Sequence, residues 1–169
     1  IITSEWDTPK IYKNNGRRLI KQSSSLDELH GMWNVVEAAD FDKDGDIDFI
    51  FGNQGNNTAH KTSEENPIKM WMNDFDNNGT IEQITTNHQE GKDYPIHMKK
   101  ELTRQLVSLK KQNLKASVYA KKSIDELFEK EKVENSIMKK NNISETIIAV
   151  NEGKGNFTVK KLPSRVQFS

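Results

Sequence analysis

The sequence predicts a mainly β protein with an α-helical insertion. Short runs of β-branched and aromatic residues flank turns rich in Asn, Asp and Gly, which is the pattern of antiparallel hairpins. Two acidic loops each lie between two such runs. Residues 95–140 differ, since they are rich in Lys, Glu and Leu and contain neither Gly nor Pro after Pro95. That composition favours helices placed inside a β framework.

The β framework is predicted as four hairpins. In the first, two β-prone runs flank an Asn-Asn-Gly turn, and in the last, Thr-Ile-Ile-Ala-Val and Phe-Thr-Val flank a turn with two glycines. The two central hairpins carry the acidic loops between their strands. The four predicted hairpins cover residues 9–20, 33–51, 68–86 and 146–159. Similar hairpins that recur along a chain are typical of a repeat architecture.

The segment 95–140 is predicted to form two or three amphipathic helices. Apolar residues recur twice at the spacing that puts side chains on one helix face. The second group directly follows Ser123, a suitable N-cap residue. The apolar residues are Leu102, Leu106, Leu109, Ile124, Leu127 and Phe128.

Two acidic loops of nine residues are the most specific feature of the chain. Residues 40–48 have the sequence Asp-Phe-Asp-Lys-Asp-Gly-Asp-Ile-Asp, and residues 74–82 have the sequence Asp-Phe-Asp-Asn-Asn-Gly-Thr-Ile-Glu. Both place a carboxylate or amide at positions 1, 3 and 5, a Gly at position 6 and a carboxylate at position 9. Alternate side chains then converge on one point, and the Gly allows the sharp turn. The pattern predicts two cation sites; the alternative is a pair of acidic Asp/Asn-Gly turns.

Oxygen ligands in this number favour Ca²⁺, which takes six to eight of them in a flexible shell. Mg²⁺ prefers a smaller octahedral shell, and Zn²⁺ is disfavoured because the chain has no Cys and only four scattered His residues. The second loop has fewer carboxylates and is predicted to be the weaker or differently shaped site. The predicted ligands are Asp40, Asp42, Asp44, Asp48 and the carbonyl of Asp46, and then Asp74, Asp76, Asn78, Glu82 and the carbonyl of Thr80.

A calcium sensor of the helix-loop-helix type is disfavoured. Such a loop needs a bidentate Glu at position 12 and a helix on each side. Position 12 is Phe51 in the first loop and Thr85 in the second, and the flanking residues favour strands. The cation loops are therefore predicted to connect strands.

Composition narrows the possible partners and locations. Lys+Arg and Asp+Glu both number 25, so the net charge is zero, which argues against nucleic acid as a partner. No apolar run approaches the ~20 residues of a membrane span. The absence of Cys leaves the compartment open. Calcium loops without a sensor architecture favour an extracellular or cell-surface location, where calcium is millimolar.

These residues resemble the FG-GAP/VCBS repeat family, whose members include the β-propeller repeats of integrin α-subunits. In that family an Asp-x-Asp-x-Asp-Gly-x-x-Asp loop binds Ca²⁺ in a hairpin of each blade. The matching stretches are 38–49 and 151–157, and the resemblance covers about residues 9–90 and 143–160. The stretch from residue 31 through residue 95, together with the helices that follow, is similar to a subgroup of bacterial VCBS-repeat proteins. The resemblance implies a partial β-propeller of antiparallel hairpins on a secreted or surface protein; Glu82 departs from the usual Asp.

The predicted organisation is a single domain in three segments. Propeller-type repeats with both calcium loops occupy 1–94, the helical insertion 95–140 and a hairpin of a further blade 141–169. Without the insertion, the chain is long enough for about two to three blades, which cannot close a ring. The chain begins in mid-pattern, so it is expected to be a fragment of a longer propeller or to self-associate through open strand edges.

The predicted function is that of a non-enzymatic, calcium-binding module that acts as a binding or scaffold domain for a protein or carbohydrate ligand. One alternative is a calcium-responsive switch that moves the helical insertion. The other is a hydrolase-type enzyme, for which His88, Asp93 and Tyr94 are the residues to place in a cleft. The chain has no recognisable catalytic triad motif.

Overall fold

The computed structural model of the protein describes residues 1–112 and 115–167, with side chains omitted at 111 and 112. Strands account for 36% and helices for 16% of the chain, so the protein is mainly β, as predicted. The chain forms two compact units. The first unit contains Ile1–Glu65 together with the chain from Asn141 onward, and the second contains Asn66–Lys140.

Twelve strands and five short α-helices are described, followed by a single 3₁₀ turn at Ser164–Val166. The strands are β1 (Glu5–Asp7), β2 (Ile11–Asn14), β3 (Leu19–Gln22), β4 (Gly31–Met32), β5 (Val35–Ala39), β6 (Asp48–Gly52), β7 (Ile68–Asn73), β8 (Glu82–Gln89), β9 (Lys92–Pro95), β10 (Ile137–Asn141), β11 (Ile147–Asn151) and β12 (Phe157–Lys161). The helices are α1 (Lys99–Gln105), α2 (Ser108–Gln112), α3 (Ala116–Tyr119), α4 (Ile124–Leu127) and α5 (Lys130–Glu134).

The first unit is organised around a four-stranded antiparallel sheet in the order β12-β11-β6-β5. Phe51 on β6 faces Val36 on one side and Ile147 on the other. Its ring is fully buried and lies 5.7 Å from the ring of Trp33. The sheet core thus depends on apolar residues from both ends of the chain, namely Leu26, Trp33, Phe51, Ile143, Ile147 and Ala149.

The second unit contains a four-stranded sheet in the order β10-β7-β8-β9, with the five helices in the same unit. Strands β7, β8 and β9 pair antiparallel. Alternate residues of β8 are buried, since Glu82, Ile84 and Thr86 are enclosed while Gln83 is exposed. Ile84 packs with the leucines predicted from their helical spacing. The core residues are Phe75, Ile84, Leu102, Leu106, Leu109, Tyr119, Ile124, Leu127 and Val133.

The helices are shorter and more numerous than the two or three predicted. Ser123 is the N-cap residue of α4, as predicted, and its backbone N–H donates to a carboxylate oxygen of Glu126 at 2.9 Å. Met98 is the N-cap residue of α1 in the same arrangement, its N–H donating to Glu101 at 2.9 Å. The chain leaves helical geometry at Leu106, with φ −110° and ψ 82°. The predicted apolar helix face is therefore divided between the short helices α1 and α2.

The four predicted hairpins are confirmed: β2 pairs with β3, β5 with β6, β7 with β8, and β11 with β12. The assignment of all of 95–140 to helices was wrong at its end, because Ile137–Lys140 belong to β10 beside β7. None of the described sheets closes on itself. Among the described residues, no helix has the length and apolar character needed to cross a membrane.

Candidate metal centre

The two acidic loops occupy equivalent places in the two sheets. The first joins β5 to β6 and the second joins β7 to β8. In each hairpin the final strand pair is formed by the residue before the loop and the residue at loop position 9. These pairs are Ala39 with Asp48 and Asn73 with Glu82. Both loops therefore begin directly after the last paired residue of one strand and end at the first paired residue of the next.

The backbones of the two loops share an unusual conformation. Position 4 has a positive φ in both, 66° at Lys43 and 60° at Asn77. Position 6 also has a positive φ, 97° at Gly45 and 84° at Gly79. Left-handed geometry is costly for a residue with a side chain, which explains the Gly at position 6. Two left-handed residues at the same positions turn both loops back on themselves in the same way.

The carboxylate at position 1 closes each loop onto the glycine. The Gly45 N–H donates to Oδ2 of Asp40 at 3.1 Å, and the Gly79 N–H donates to Oδ2 of Asp74 at 2.9 Å. Position 5 forms a smaller turn in each loop. Its side-chain oxygen accepts the N–H of position 7, at 2.8 Å in the first loop and 2.7 Å in the second. The two loops therefore share the same pattern of internal hydrogen bonds.

The carboxylate at position 9 fastens each loop to its sheet. Oδ2 of Asp48 accepts the N–H of Phe41 at 2.8 Å, and Oε2 of Glu82 accepts the N–H of Phe75 at 3.0 Å. The other oxygen of Asp48 accepts the N–H of Asn151, on β11, at 2.8 Å. Both position-9 residues are buried. The longer Glu82 therefore makes the same loop-closing bond as an Asp at this position.

Three carboxylates converge in each loop. One oxygen from each of Asp40, Asp42 and Asp48 lies within 4.8 Å of the other two. The same holds for one oxygen from each of Asp74, Asp76 and Glu82. These six residues are the ones predicted at positions 1, 3 and 9.

The remaining predicted ligands are placed differently. The carboxylates of Asp44 and Asp46 lie outside the first cluster, and Asp44 accepts the N–H of Asp46. Asn78 makes the corresponding bond to the N–H of Thr80. The carbonyl oxygens of Asp46 and Thr80 stay predicted ligands.

Backbone N–H groups hold negative charge in these loops. Hydrogen bonds from Asn151 and Phe41 lower the pKa of Asp48 below its usual value. The N–H of Gly79, with further contributions that include Lys132, lowers the pKa of Asp74. In contrast, desolvation and the nearby carboxylates of Asp44 and Asp48 raise the pKa of Asp42. In the first loop, repulsion from neighbouring carboxylates therefore acts on Asp42, and a bound cation would relieve it.

The second loop contains an oxygen suited to a cation. Oδ1 of Asp76 is buried and has no hydrogen-bond partner. Leaving a buried carboxylate oxygen without a partner is costly, and a bound cation would remove that cost. The clustered ligand atoms are all oxygens, which hard cations such as Ca²⁺ and Mg²⁺ prefer. The residues present thus fit a hard divalent cation.

A lysine from the helical segment contacts the second loop. Nζ of Lys132 donates to the backbone carbonyl of Asp74 at 2.6 Å and also bonds Oδ1 of Asn77. In return, Nδ2 of Asn73 donates to the carbonyl of Lys132 at 2.6 Å. Sequence reasoning missed this residue, because one lysine in a lysine-rich segment carries no signal of its distant partner.

Two of the residues considered for an enzyme, His88 and Asp93, belong to an ion-paired group. The two oxygens of Asp93 lie 2.9 Å from Nδ1 of His88 and 2.9 Å from Nζ of Lys69. Tyr94 follows Asp93 on β9 and therefore projects from the opposite face of the strand. The group links the three neighbouring strands β7, β8 and β9 through their side chains, and the hydrolase alternative stays a prediction.

Each loop adjoins a concave surface within its own unit. A groove of about 700 Å³ lies beside the first loop and is lined by Tyr12, Phe49, Phe157 and Asp46, among others. A smaller cavity of about 380 Å³ lies beside the second loop, between Asp76 and the helical segment. The first groove combines aromatic rings with amide and charged groups.

No protein-family model, curated protein or solved structure matches this chain. The resemblance to the FG-GAP/VCBS repeats therefore stays a prediction made from the residues themselves.

Proposed function

We propose that this chain is a non-enzymatic, calcium-binding module of integrin-like FG-GAP/VCBS repeats. It acts as an extracellular or cell-surface binding or scaffold domain. The observation that carries the proposal is the equivalence of the two loops. They share position, left-handed residues, internal hydrogen bonds and a cluster of three carboxylates. An incidental acidic turn has no reason to recur in this detail.

Ca²⁺ is the cation that we assign to both loops. Its shell accepts six to eight oxygens at flexible distances, so it tolerates Asp48 in one loop and the longer Glu82 in the other. The buried, unpartnered oxygen of Asp76 supports a ligand at the second loop in particular. Bound Ca²⁺ would neutralise the clustered carboxylates, so its binding free energy would add to the stability of each hairpin.

The two four-stranded sheets support a partial β-propeller, since a propeller blade is a sheet of this size. In such a module calcium fixes the hairpins and the surfaces between them bind a partner. The groove beside the first loop offers the aromatic and polar groups that both glycans and peptides use. We therefore retain a protein or carbohydrate ligand as the partner, and the zero net charge disfavours nucleic acid.

Calorimetric titration of chelator-treated protein with Ca²⁺, together with thermal melting in Ca²⁺ and in Mg²⁺, tests the proposal. The expected result is two binding events and a rise in melting temperature that is larger for Ca²⁺. Asp40→Asn combined with Asp42→Asn should remove one event. Asp46→Asn is the matched control, because this carboxylate lies outside the first cluster, and it should retain both events.

Absence of binding at millimolar Ca²⁺ would refute the proposal. An equal effect of Asp46→Asn and the cluster variant would show that the loops respond to general charge rather than to a defined site. Equal responses to Mg²⁺ and Ca²⁺ would refute the assignment of the cation.

The calcium-responsive switch is retained as a second candidate because one contact favours it. Lys132 lies on α5 and bonds the second loop directly, so a change in that loop would reach the helical segment.

A further inference from the structure

The second loop has a positive charge of its own, supplied from outside the hairpin. Nζ of Lys132 donates to the carbonyl of Asp74, and the carboxylate of the same residue belongs to the acidic cluster. The ammonium group also bonds Asn77 at loop position 4. A unit positive charge therefore contacts the backbone of the loop and, alongside the N–H of Gly79, its field lowers the pKa of the Asp74 carboxylate.

The contact is built into the fold. Val133, the neighbour of Lys132, is buried in the core of the second unit, and the carbonyl of Lys132 accepts a hydrogen bond from Asn73 at 2.6 Å. Lys132 itself is only partly exposed. Its backbone is thus held at the end of β7, which places the side chain within reach of the loop.

The first loop has a different residue at the position that receives this lysine. Position 4 is Lys43 in the first loop and Asn77 in the second. A lysine side chain there offers no acceptor and would repel a second ammonium group. The two loops, otherwise alike, therefore differ at position 4, which carries an ammonium group in the first loop and an acceptor for Lys132 in the second.

We propose that Lys132 is an internal counter-cation of the second loop, which opposes divalent-cation binding there and couples the occupancy of that loop to α5. This inference rests on the proposed function. Without a divalent cation, the ammonium group stabilises the negative charge of Asp74. With a cation bound, like charges repel, and the contact between α5 and the loop weakens.

The test uses the full chain with Asp40→Asn and Asp42→Asn, so that calcium titration reports on the second loop. Lys132→Met removes the charge but keeps a side chain of similar length. It should raise the affinity for Ca²⁺ about tenfold, the size expected for a unit charge near a divalent cation in a water-like dielectric. The gain should shrink as salt is raised, because the interaction is screened.

Two further variants separate charge from structure. Lys132→Arg keeps the charge and should bind Ca²⁺ like the parent. Lys130→Met removes a lysine from the same helix whose ion pair is with Glu134, and it should leave the affinity unchanged. Amide hydrogen exchange at 130–135 supplies a second readout: Ca²⁺ should increase exchange in the parent protein and not in Lys132→Met.

The outcomes distinguish this inference from the proposed function. If Lys132→Met binds Ca²⁺ no more tightly than Lys130→Met, the counter-cation role is refuted while the calcium site stands. If Ca²⁺ slows exchange at 130–135 in the parent, the opposing coupling is refuted. If the parent itself binds no Ca²⁺, the proposed function fails at the second loop, and this inference fails with it.

Discussion

Replacing the phenylalanine at loop position 2 should have very different effects in the two units. Phe75 is 7% exposed and its ring centroid lies 4.5 Å from that of Phe128, whereas Phe41 is 41% exposed. Removing a buried Phe side chain costs about 3–5 kcal/mol. We expect Phe75→Ala to lower the free energy of unfolding by about 4 kcal/mol. Phe41→Ala, which loses much less buried surface, should lower it by about 1 kcal/mol.

Urea unfolding and thermal melting measure this difference. About 3 kcal/mol separates the two variants, and at 2–4 °C per kcal/mol for a chain of this length the melting temperatures should differ by about 6–12 °C. Phe75→Leu is the control, because it keeps most of the apolar volume and should cost about 1.5 kcal/mol or less. Equal losses for Phe41→Ala and Phe75→Ala would refute the packing of the second loop against the helical segment.

Two further predictions concern pH and backbone conformation. The pKa values of Asp48 and Asp74 are lowered in the folded state, so their stabilising contribution is present above their unfolded pKa and is lost as pH falls through the folded values. The raised pKa of Asp42 has the opposite sign and offsets part of this loss. Because two lowered values outweigh one raised value, the melting temperature should fall on acidification. Calcium affinity should fall as well, since protons compete for the ligands, and melting and titration at several pH values measure both effects. Gly45→Ala should cost about 1 kcal/mol through its φ of 97°, since no atom lies within 4 Å of the added Cβ. Lys43→Gly, at φ 66°, should instead be neutral or stabilising in urea unfolding, and a loss equal to that of Gly45→Ala would contradict the argument from backbone strain.

Local features of the chain were predictable because their causes are local. A turn residue and its flanking β-prone runs lie within a few positions of one another, and the same is true of the acidic loops. The turn before β9 is also local, but it was missed because its residues give only a weak turn signal. Glu90 and Gly91 adopt positive φ values of 50° and 78°, and Glu before Gly is a weaker turn signal than the Asn or Asp that hairpins prefer.

Pairings between distant segments could not be predicted from these patterns. Phe51 pairs with Ile147, and nothing in either strand identifies the other as its neighbour. The strand β10 was assigned to the helical segment because Ile-Met-Lys-Lys-Asn shows no alternation of apolar and polar residues. It is a strand because β7 supplies the hydrogen-bonding edge, and tertiary context of this kind overrides local preference.

In the candidate site, too, local features were predictable and contacts from distant segments were not. The spacing of acidic residues identified the three carboxylates that cluster in each loop. It could not identify the N–H of Asn151, which donates to the carboxylate of Asp48. Nor could it identify the ammonium group of Lys132, which donates to the carbonyl of Asp74. Both partners arrive from other parts of the chain, and the electrostatic character of each loop depends on them.

The order of strands in the first sheet has a consequence for biosynthesis. The neighbours β6 and β11 are separated by the whole second unit, which is continuous in sequence. As the chain leaves the ribosome, the second unit can complete its own sheet while the first still lacks two of its four strands. The first unit then has to wait for β11 and β12, with the edge of β6 unpaired in the meantime. Truncation near residue 145 should therefore leave a folded second unit attached to an aggregation-prone first one.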